Sequence, residues 1–364
     1  MYYQGVVRGI DPKLTIEELT EAFGNPRNPP ILGVKKLGNS SSAVVTFKNE
    51  TVPSWMYCYD VPLKCVLYKK RYEVSYYLDE DQGWAHNTVE MQKALDAAKS
   101  RCEPRCFLLV NPANPTSTVL SEHQLQDIVR FCYENQLIIL ADEVFEHNTY
   151  SSNRPFHSVR KVMSAMGTPY SQTQLVVFNS ISKGFASELG IQAGYFEAVN
   201  LDSVDRENLQ CTPWATLPPM FSQVALDCMV KPPLPGDASY ETFAKEKAFI
   251  LESLAERAKL AEKRLNAIDG IYCSPVYGSV AAYPRVSIPT KAIEEAQRQN
   301  KEADVFYAEE LLRRKGVSVT PCSGFGRLPG KFHMRITILS PKEQLLEMFD
   351  RLESFQKELM AQYS

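Results

Sequence analysis

The sequence predicts a layered α/β fold preceded by a small α+β module, and two observations lead to this prediction. From about residue 74 onward, short apolar runs alternate with longer helical patterns, as in strands and helices packed in layers. The charge balance also changes along the chain, because residues 1–72 carry ten Lys/Arg and six Asp/Glu, whereas the rest carry thirty and thirty-seven. A basic front and an acidic body indicate two segments of different ancestry.

The front segment, residues 1–73, shows the alternation of a small sheet with one helix. Thr15 and Glu18 have the spacing of a capping box, which predicts a helix that ends near Phe23. The strand-like segments around this helix are residues 4–10, 31–37, 43–47 and 64–68.

The body of the chain is predicted to form two domains, residues 74–238 and 239–364. Residues 122–134 are the clearest helix between strands, and residues 239–268 form a long helix that joins the domains. Ser340 is predicted to cap the final helix, with Pro341 at its first position. The predicted strands are residues 106–110, 137–141, 175–178, 193–198, 271–273, 280–286, 317–320 and 332–338.

Composition excludes several classes of protein. The longest apolar runs, such as residues 137–141, are too short to span a bilayer, and the first residues do not resemble a signal peptide. The nine cysteines show no paired metal-ligand spacing. We therefore expect a cytoplasmic protein with reduced cysteines, no membrane segment and no metal site.

Three motifs each follow a predicted strand, where open α/β sheets place their ligands. They are NPANPT at residues 111–116, ADEVF at 141–145 and SISKG at 180–184. In this order they resemble the motifs of the fold-type I aminotransferases, which depend on pyridoxal 5′-phosphate (PLP). Further segments resemble the alanine aminotransferase subfamily, namely VSYYLDE at 74–80, GYFE at 194–197, SGFG at 323–326 and FHMRITI at 332–338.

The resemblance implies PLP as the cofactor and amino acids and 2-oxo acids as substrates, namely L-alanine plus 2-oxoglutarate giving pyruvate plus L-glutamate. It also implies a large domain truncated on its N-terminal side, a small C-terminal α/β domain, and compatibility with a homodimer. Lys183 would form an imine with the cofactor and then act as the general base. Asp142 would face the pyridine nitrogen, and Asn114 would donate to the phenolic oxygen.

The same resemblance assigns the phosphate and the substrate. Ser180 and Ser182 would supply donors to the phosphate, and Arg335 would bind the α-carboxylate in a bidentate manner. Each residue also has a structural alternative: Lys183 as a solvated loop residue, Asp142 as a strand-end carboxylate, Asn114 as a turn residue, and Arg335 as a surface charge.

Four departures from the family pattern favour impaired catalysis. Gln192 stands where the family has an arginine that binds the phosphate, and Phe145 stands where it has a tyrosine. Ser117 replaces a glycine, which matters if the position needs a positive φ. The upstream segment with the phosphate loop and the ring-stacking aromatic residue has no counterpart in this chain.

Residues 5–74 resemble the RRM-like, gag-type segment of retroelements, on RGIDP at 8–12, LGVKK at 32–36 and LYKKR at 67–71. The zinc knuckle that usually follows is missing, and residues 41–47 offer only Phe47 in place of the paired stacking aromatic residues of an RRM. Lys69, Lys70 and Arg71 could contact phosphates, but a solvated charge run is the more favoured reading. Three readings follow: an active aminotransferase, a catalytically inactive chimera, and, as the least favoured, a nucleic-acid-binding chimera.

Overall fold

The computed structural model describes residues 3–37, 41–48, 52–53, 55–67, 72–185, 187–188, 190–211, 217–326 and 328–363. The chain divides into two units, Met1–Glu73 and Val74–Ser364. Within the described residues, the first unit contains one α-helix and a five-stranded sheet, and the other helices and sheets belong to the second unit.

The first unit is an antiparallel sheet with one helix packed against it. Its elements are β1 (Tyr3–Arg8), α1 (Ile16–Ala22), β2 (Ile31–Lys36), β3 (Ser42–Phe47), β4 (Trp55–Cys58) and β5 (Val61–Leu67), in the strand order β2-β3-β1-β5-β4. The predicted capping box is confirmed, because the Thr15 N–H donates to Glu18 Oε2 at 2.7 Å and the Glu18 N–H to Thr15 Oγ1 at 3.2 Å. The buried core consists mainly of Val7, Leu19, Phe23, Val45, Phe47 and Met56.

The strands predicted from the sequence do not include β4. Local patterns do not indicate this strand, because the side chain that holds it in place, Asn28, is distant in the sequence. Asn28 Nδ2 donates to the Tyr57 carbonyl oxygen at 2.7 Å, and Asn28 Oδ1 accepts from the Tyr57 N–H at 2.7 Å. One amide side chain thus satisfies both backbone groups of an edge-strand residue, as a neighbouring strand would. The predicted basic cluster Lys69, Lys70 and Arg71 lies outside the described residues.

The second unit begins with a four-stranded sheet and its covering helices. The strands are β6 (Cys106–Val110), β7 (Ile138–Asp142), β8 (Leu175–Ser180) and β9 (Gly194–Val199), in that order across the sheet. The first three are parallel, and β9 is antiparallel to β8. All four agree with the predicted strands within two residues. The neighbouring helices are α2 (Thr88–Ala98), α3 (Glu122–Glu134), which has the predicted bounds, and α4 (Val159–Met166).

The C-terminal part of this unit packs long helices on short strands. Helices α5 (Ser203–Cys211) and α6 (Met220–Val230) lead into the predicted long helix α7 (Tyr240–Asn266). Then follow β10 (Ile271–Tyr272), β11 (Ala281–Ala282), β12 (Arg285–Val286), α8 (Thr290–Arg298), α9 (Ala303–Lys315), β13 (Thr320–Pro321), β14 (Met334–Thr337) and α10 (Lys342–Gln362). The core between them includes Leu265, Tyr307, Leu311, Ile336, Phe349 and Phe355.

Three predictions for this part are wrong in detail. The predicted strand 280–286 is two strands, β11 and β12, in different sheets, and Pro284 lies between them without an N–H for a ladder. The predicted strand 317–320 is mostly loop, because β13 begins only at its last residue. Helix α10 begins at Lys342 with Pro341 as its N-cap residue, whereas the Ser340 carbonyl oxygen accepts from Arg257 Nη1 at 3.1 Å.

Ser117 joins the loop after β6 to the C-terminal strands through a left-handed backbone. Its φ is +59° and its residue exposure is 1 %. Its carbonyl oxygen accepts from the N–H groups of Tyr277 at 3.1 Å and Gly278 at 3.0 Å, and its hydroxyl donates to the Ala281 carbonyl oxygen. The position therefore has the positive φ that favours glycine, and the hydroxyl bond offsets a backbone cost of about 1–2 kcal/mol.

Two substitutions at this position separate the two effects. Ser117→Ala keeps the backbone cost and leaves the buried Ala281 carbonyl without its hydroxyl donor, so we expect a loss of about 1–2 kcal/mol in unfolding free energy. Ser117→Gly also loses the hydroxyl but relieves the backbone, so it should be about 1 kcal/mol more stable than the alanine variant. Urea unfolding of both variants measures the difference, and equal stabilities would contradict this account.

Glu143 follows strand β7, and its buried carboxylate lies against the first residue of helix α4. Its residue exposure is 2 %, and its Oε1 accepts from the Val159 N–H at 2.7 Å. Burial raises the pKa of Glu143 from 4.5 to about 7, although the bonds from Val159 and Ser158 act in the opposite direction. The folded state therefore binds the proton more tightly than the unfolded state, and folding stability falls as pH rises from about 4.5 to about 7.

Glu143→Gln should remove this pH dependence, because the amide oxygen can still accept from the Val159 N–H but carries no charge. The stability of the variant relative to the unmodified chain should rise by roughly 2–3 kcal/mol between pH 5 and pH 8. Urea unfolding at several pH values measures it, with the exposed Glu134→Gln as the control for loss of one carboxylate. A constant difference across this range would show that Glu143 ionises normally.

Candidate functional site

The three motifs meet at one edge of the four-stranded sheet. The parallel register places Val110 beside Asp142 and Asp142 beside Phe178. The Asn111 N–H donates to the Asp142 carbonyl oxygen at 3.0 Å, which fixes the first loop against the second. Because β6, β7 and β8 are parallel, the polar loops that follow them gather at their carboxyl ends.

The first motif forms a closed loop with Asn114 exposed. Asn111 Oδ1 accepts from the Leu120 N–H at 3.0 Å, and the Ala113 N–H donates to the Thr118 carbonyl oxygen at 2.8 Å. Asn111 itself is buried, and its Nδ2 has no hydrogen-bond partner among the residues that the structure describes. The exposed side chain of Asn114 is thus carried on a loop whose base is anchored inside the protein.

Asp142 ends strand β7 as a half-buried carboxylate. Burial raises its pKa, while the hydrogen bond from the Val144 N–H, at 3.3 Å, and the positive charge of Lys183 lower it. The net shift is upward. A cationic group bound next to Asp142 would stabilise the ionised carboxylate further, so the position suits a partner with a protonated ring nitrogen.

Lys183 lies in the loop after β8 and is half-buried. Its Nζ is 5.9 Å from the centre of the Phe145 ring, and it acts electrostatically on Asp142. The loop is held in place because Asn148 Nδ2 donates to the Gly184 carbonyl oxygen at 3.4 Å. The structure therefore brings together Lys183 and Asp142, two of the residues that the sequence assigned to the site.

Ser180, Ser182 and Gln192 line one cavity of about 780 Å³ next to the Lys183 loop. Ser180 Oγ donates to the Ala193 carbonyl oxygen at 3.2 Å and accepts from the Ser182 N–H at 3.1 Å. None of the eleven described residues that line the cavity is charged; the other eight are Phe178, Ala193, Gly194, Phe196, Leu209, Leu217, Pro218 and Pro219.

Arg335 extends from β14 toward the first motif. Its Nη1 donates to Asn114 Oδ1 at 3.3 Å, and its Nη2 donates to Thr320 Oγ1 at 3.4 Å. The guanidinium carbon lies 5.2 Å from the centre of the Phe325 ring. Both hydrogen bonds are long, and the guanidinium has five N–H donors in all. It can therefore still donate hydrogen bonds to a planar anion.

The sequence patterns do not predict a buried polar cluster that forms around Glu80. Glu80 is 7 % exposed, and its carboxylate lies 3.2 Å from His333 Nε2, 3.2 Å from Lys331 Nζ and 3.3 Å from Arg285 Nη1. Burial alone would raise the pKa of Glu80, but the bond from His333 and the nearby cations hold that pKa below its usual range. His333 is also buried.

Aromatic contacts connect this cluster to Arg335. The rings of His333 and Tyr283 stack with centres 5.0 Å apart, and Phe325 meets Tyr283 edge-on at 6.2 Å. Trp84 completes the packing at 5.2 Å from His333. The one sequence signal is the spacing of two between His333, which directly precedes β14, and Arg335 in β14, since residues two apart in extended backbone point to the same side.

Neither a membrane span nor a metal site is evident in the part of the chain that the structure describes. No helix there is long and apolar enough to cross a bilayer. No group of three or more His, Cys, Asp or Glu side chains there could hold a metal ion.

Sequence comparison identifies relatives of this arrangement. Residues 66–352 match the family described as aminotransferase class I and II. The chain is 41 % identical over 294 residues to alanine aminotransferase 1 of Bos taurus, and 39 % identical over 293 residues to glutamate–glyoxylate aminotransferase 1 of Arabidopsis thaliana. Each match covers 80 % of this chain but 59 % and 61 % of the relatives. The chain thus spans less than two thirds of their length.

Solved structures agree with this result. An alanine aminotransferase from Pyrococcus furiosus has a TM-score of 0.62 at 24 % identity, over 78 % of this chain and 64 % of that one. The aspartate aminotransferase of Rhizobium meliloti has a TM-score of 0.60 at 22 % identity, over 77 % of this chain and 64 % of that one. At these identities the likeness shows the α/β fold. Together with the family match, it shows that the chain belongs to the class I and II aminotransferase family.

Proposed function

We propose that the chain is a PLP-dependent transaminase of the alanine aminotransferase type, which converts L-alanine and 2-oxoglutarate to pyruvate and L-glutamate. The main observation in its favour is that the half-buried amine of Lys183 lies within electrostatic range of Asp142, at the carboxyl edge of the parallel strands. The names of the relatives support the substrate class, although they include both alanine and glutamate–glyoxylate aminotransferases.

The residues at the ring end of the site fit this cofactor. Asp142 offers a carboxylate for a protonated pyridine nitrogen, and the bound ring would supply the electron sink that amino-group transfer needs. Asn114 Oδ1 already accepts from Arg335, so the Asn114 amide nitrogen can donate to the phenolic oxygen. Phe145, in place of a tyrosine, provides an apolar ring beside Lys183 but no second donor.

Lys183 and Arg335 would act on the substrate. Arg335 would bind the α-carboxylate through its remaining N–H donors, and its stacking on Phe325 would hold the guanidinium plane. The Lys183 amine would take the α-proton and return it, since a half-buried amine at this edge is shielded from bulk water on one side.

An alternative proposal is an aminotransferase-fold chimera that is catalytically inactive. Phe145 and Gln192 favour it, because each replaces a polar or charged cofactor contact by a weaker one. Ser117 argues less strongly for this alternative, because its hydroxyl compensates the strained backbone.

For residues 1–73 we propose an RRM-like module of the retroelement gag type. The strand order β2-β3-β1-β5, with α1 between β1 and β2, supports it, whereas β4 takes the place of a second helix in the described residues. Phe47 is fully buried, so it offers no stacking surface to a base. Nucleic-acid binding is therefore the less supported role.

The proposal includes a large domain over residues 74–238, truncated on its N-terminal side relative to the relatives, a small domain over 239–364, and a homodimer. Helix α6 exposes Met220 by 79 % and Phe221 by 89 %, and an apolar surface of this kind is commonly covered by self-association. A cytoplasmic location remains a prediction from the sequence.

Titration with PLP tests the proposed role of Lys183. The unmodified chain should develop a visible absorbance band that L-alanine bleaches, and borohydride reduction of a separate sample, before any L-alanine is added, should attach the cofactor to Lys183 in a peptide map. Lys183→Ala should show neither the band nor the label, whereas the exposed control Lys161→Ala should show both. The proposal fails if the label forms equally in Lys183→Ala or if a folded unmodified chain forms no band.

Substitution of Arg335 tests the proposed carboxylate contact. Arg335→Lys keeps the charge but loses the planar fork, so the L-alanine concentration for half-maximal bleaching should rise by about tenfold or more. Arg130→Lys, which alters an ion pair with Asp127 on α3, serves as the matched control and should leave it unchanged. An unchanged response of Arg335→Lys would remove Arg335 from the substrate site.

A further inference from the structure

The cavity lined by Ser180, Ser182 and Gln192 has an unusual chemistry for a site next to a cofactor that carries a phosphate. Eight of its eleven described lining residues are apolar or glycine, and the other three are neutral. None of the described lining residues therefore carries a positive charge that could bind a phosphate dianion.

The hydrogen-bond donors of this cavity are also largely used within the protein. The single O–H of Ser180 donates to the Ala193 carbonyl oxygen, and the Ser182 N–H donates to Ser180 Oγ. Ser180 therefore presents only a lone pair to the cavity. Among the side chains of the described lining residues, the donors that remain are the Ser182 hydroxyl and the Gln192 amide, and the exposed Gln192 amide presents an acceptor oxygen together with its N–H groups.

A hydroxymethyl group suits this donor and acceptor set better than a phosphate. Its O–H can donate to Ser180 Oγ or to the Gln192 carbonyl oxygen, and its oxygen can accept from Ser182 or from the Gln192 amide. A phosphate dianion can only accept hydrogen bonds. In this cavity it would meet the Ser180 hydroxyl, whose proton is already donated to Ala193, and an apolar wall, with no positive charge to compensate its own. Gln192, Gly194 and Leu217 are exposed, so a phosphate in this cavity would keep part of its hydration, but no cation of the described lining would compensate for the water that it loses.

We propose that this cavity receives the uncharged hydroxymethyl end of a pyridoxal-type ring, so that the chain binds the unphosphorylated vitamer at least as tightly as its 5′-phosphate ester. The inference rests on the proposed function, in which Asp142 and Lys183 hold the ring. It identifies Gln192 as the residue that determines which form is preferred.

Calorimetric titration with pyridoxine and pyridoxine 5′-phosphate tests the preference. Neither compound has an aldehyde, so no bond to Lys183 and no internal hemiacetal complicates the comparison. For the unmodified chain, the Kd of the ester should equal or exceed that of the alcohol. Gln192→Arg should lower the Kd of the ester by about 10–100-fold and change that of the alcohol by less than about threefold.

Two control variants make the result specific. Gln299→Arg adds the same charge at an exposed position on another part of the unit, and it should leave both Kd values unchanged. Asp142→Asn should weaken the alcohol and the ester by the same factor, because it alters only the ring end shared by both.

The outcomes separate this inference from the proposed function. If the unmodified chain binds the ester more tightly than the alcohol, beyond the error of the titration, while borohydride still labels Lys183, the inference is overturned and the proposed function stands. If neither compound binds and Lys183 is not labelled by PLP or by pyridoxal in a folded chain, both are overturned. An ester Kd that does not respond to Gln192→Arg would overturn the role of Gln192.

Discussion

The parallel register of β6, β7 and β8 is the constraint on which the rest of the site depends. Because Val110, Asp142 and Phe178 lie side by side, three loops from distant parts of the sequence begin at the same edge. The backbone bond from Asn111 to the Asp142 carbonyl oxygen then fixes the first two loops to each other. A carboxylate, an amide and an amine are thereby gathered without any direct hydrogen bond between their side chains.

The two ends of the site differ in their electrostatics. The ring end has a carboxylate and an amine in mutual influence, and Arg335 reaches it from a separate sheet. The opposite end is neutral, and the Ser180 hydroxyl there is occupied by backbone partners. Family membership accounts for the α/β fold, whereas the uncharged lining beside Ser180, Ser182 and Gln192 is a property of this chain.

Much of the fold could be predicted because it follows local rules. The capping box at Thr15, the bounds of α3 and the four strands of the main sheet arise from neighbouring residues and hydrophobic periodicity. Strand β4 could not be predicted, since Asn28 lies 29 residues from the backbone that it binds. The proposed roles of Lys183 and Asp142 come from their motifs, whereas the Glu80 cluster joins segments more than 200 residues apart, which no local pattern predicts.

The aromatic packing around Tyr283 has a consequence for how this protein can be observed. Trp84 lies 5.2 Å from His333 and 5.6 Å from Tyr283, and that stack continues through Phe325 to the guanidinium of Arg335. Any ligand that draws Arg335 away from Asn114 therefore disturbs the surroundings of an indole. Trp84 is one of three tryptophans in the chain, so its emission is an intrinsic optical signal for events around Arg335.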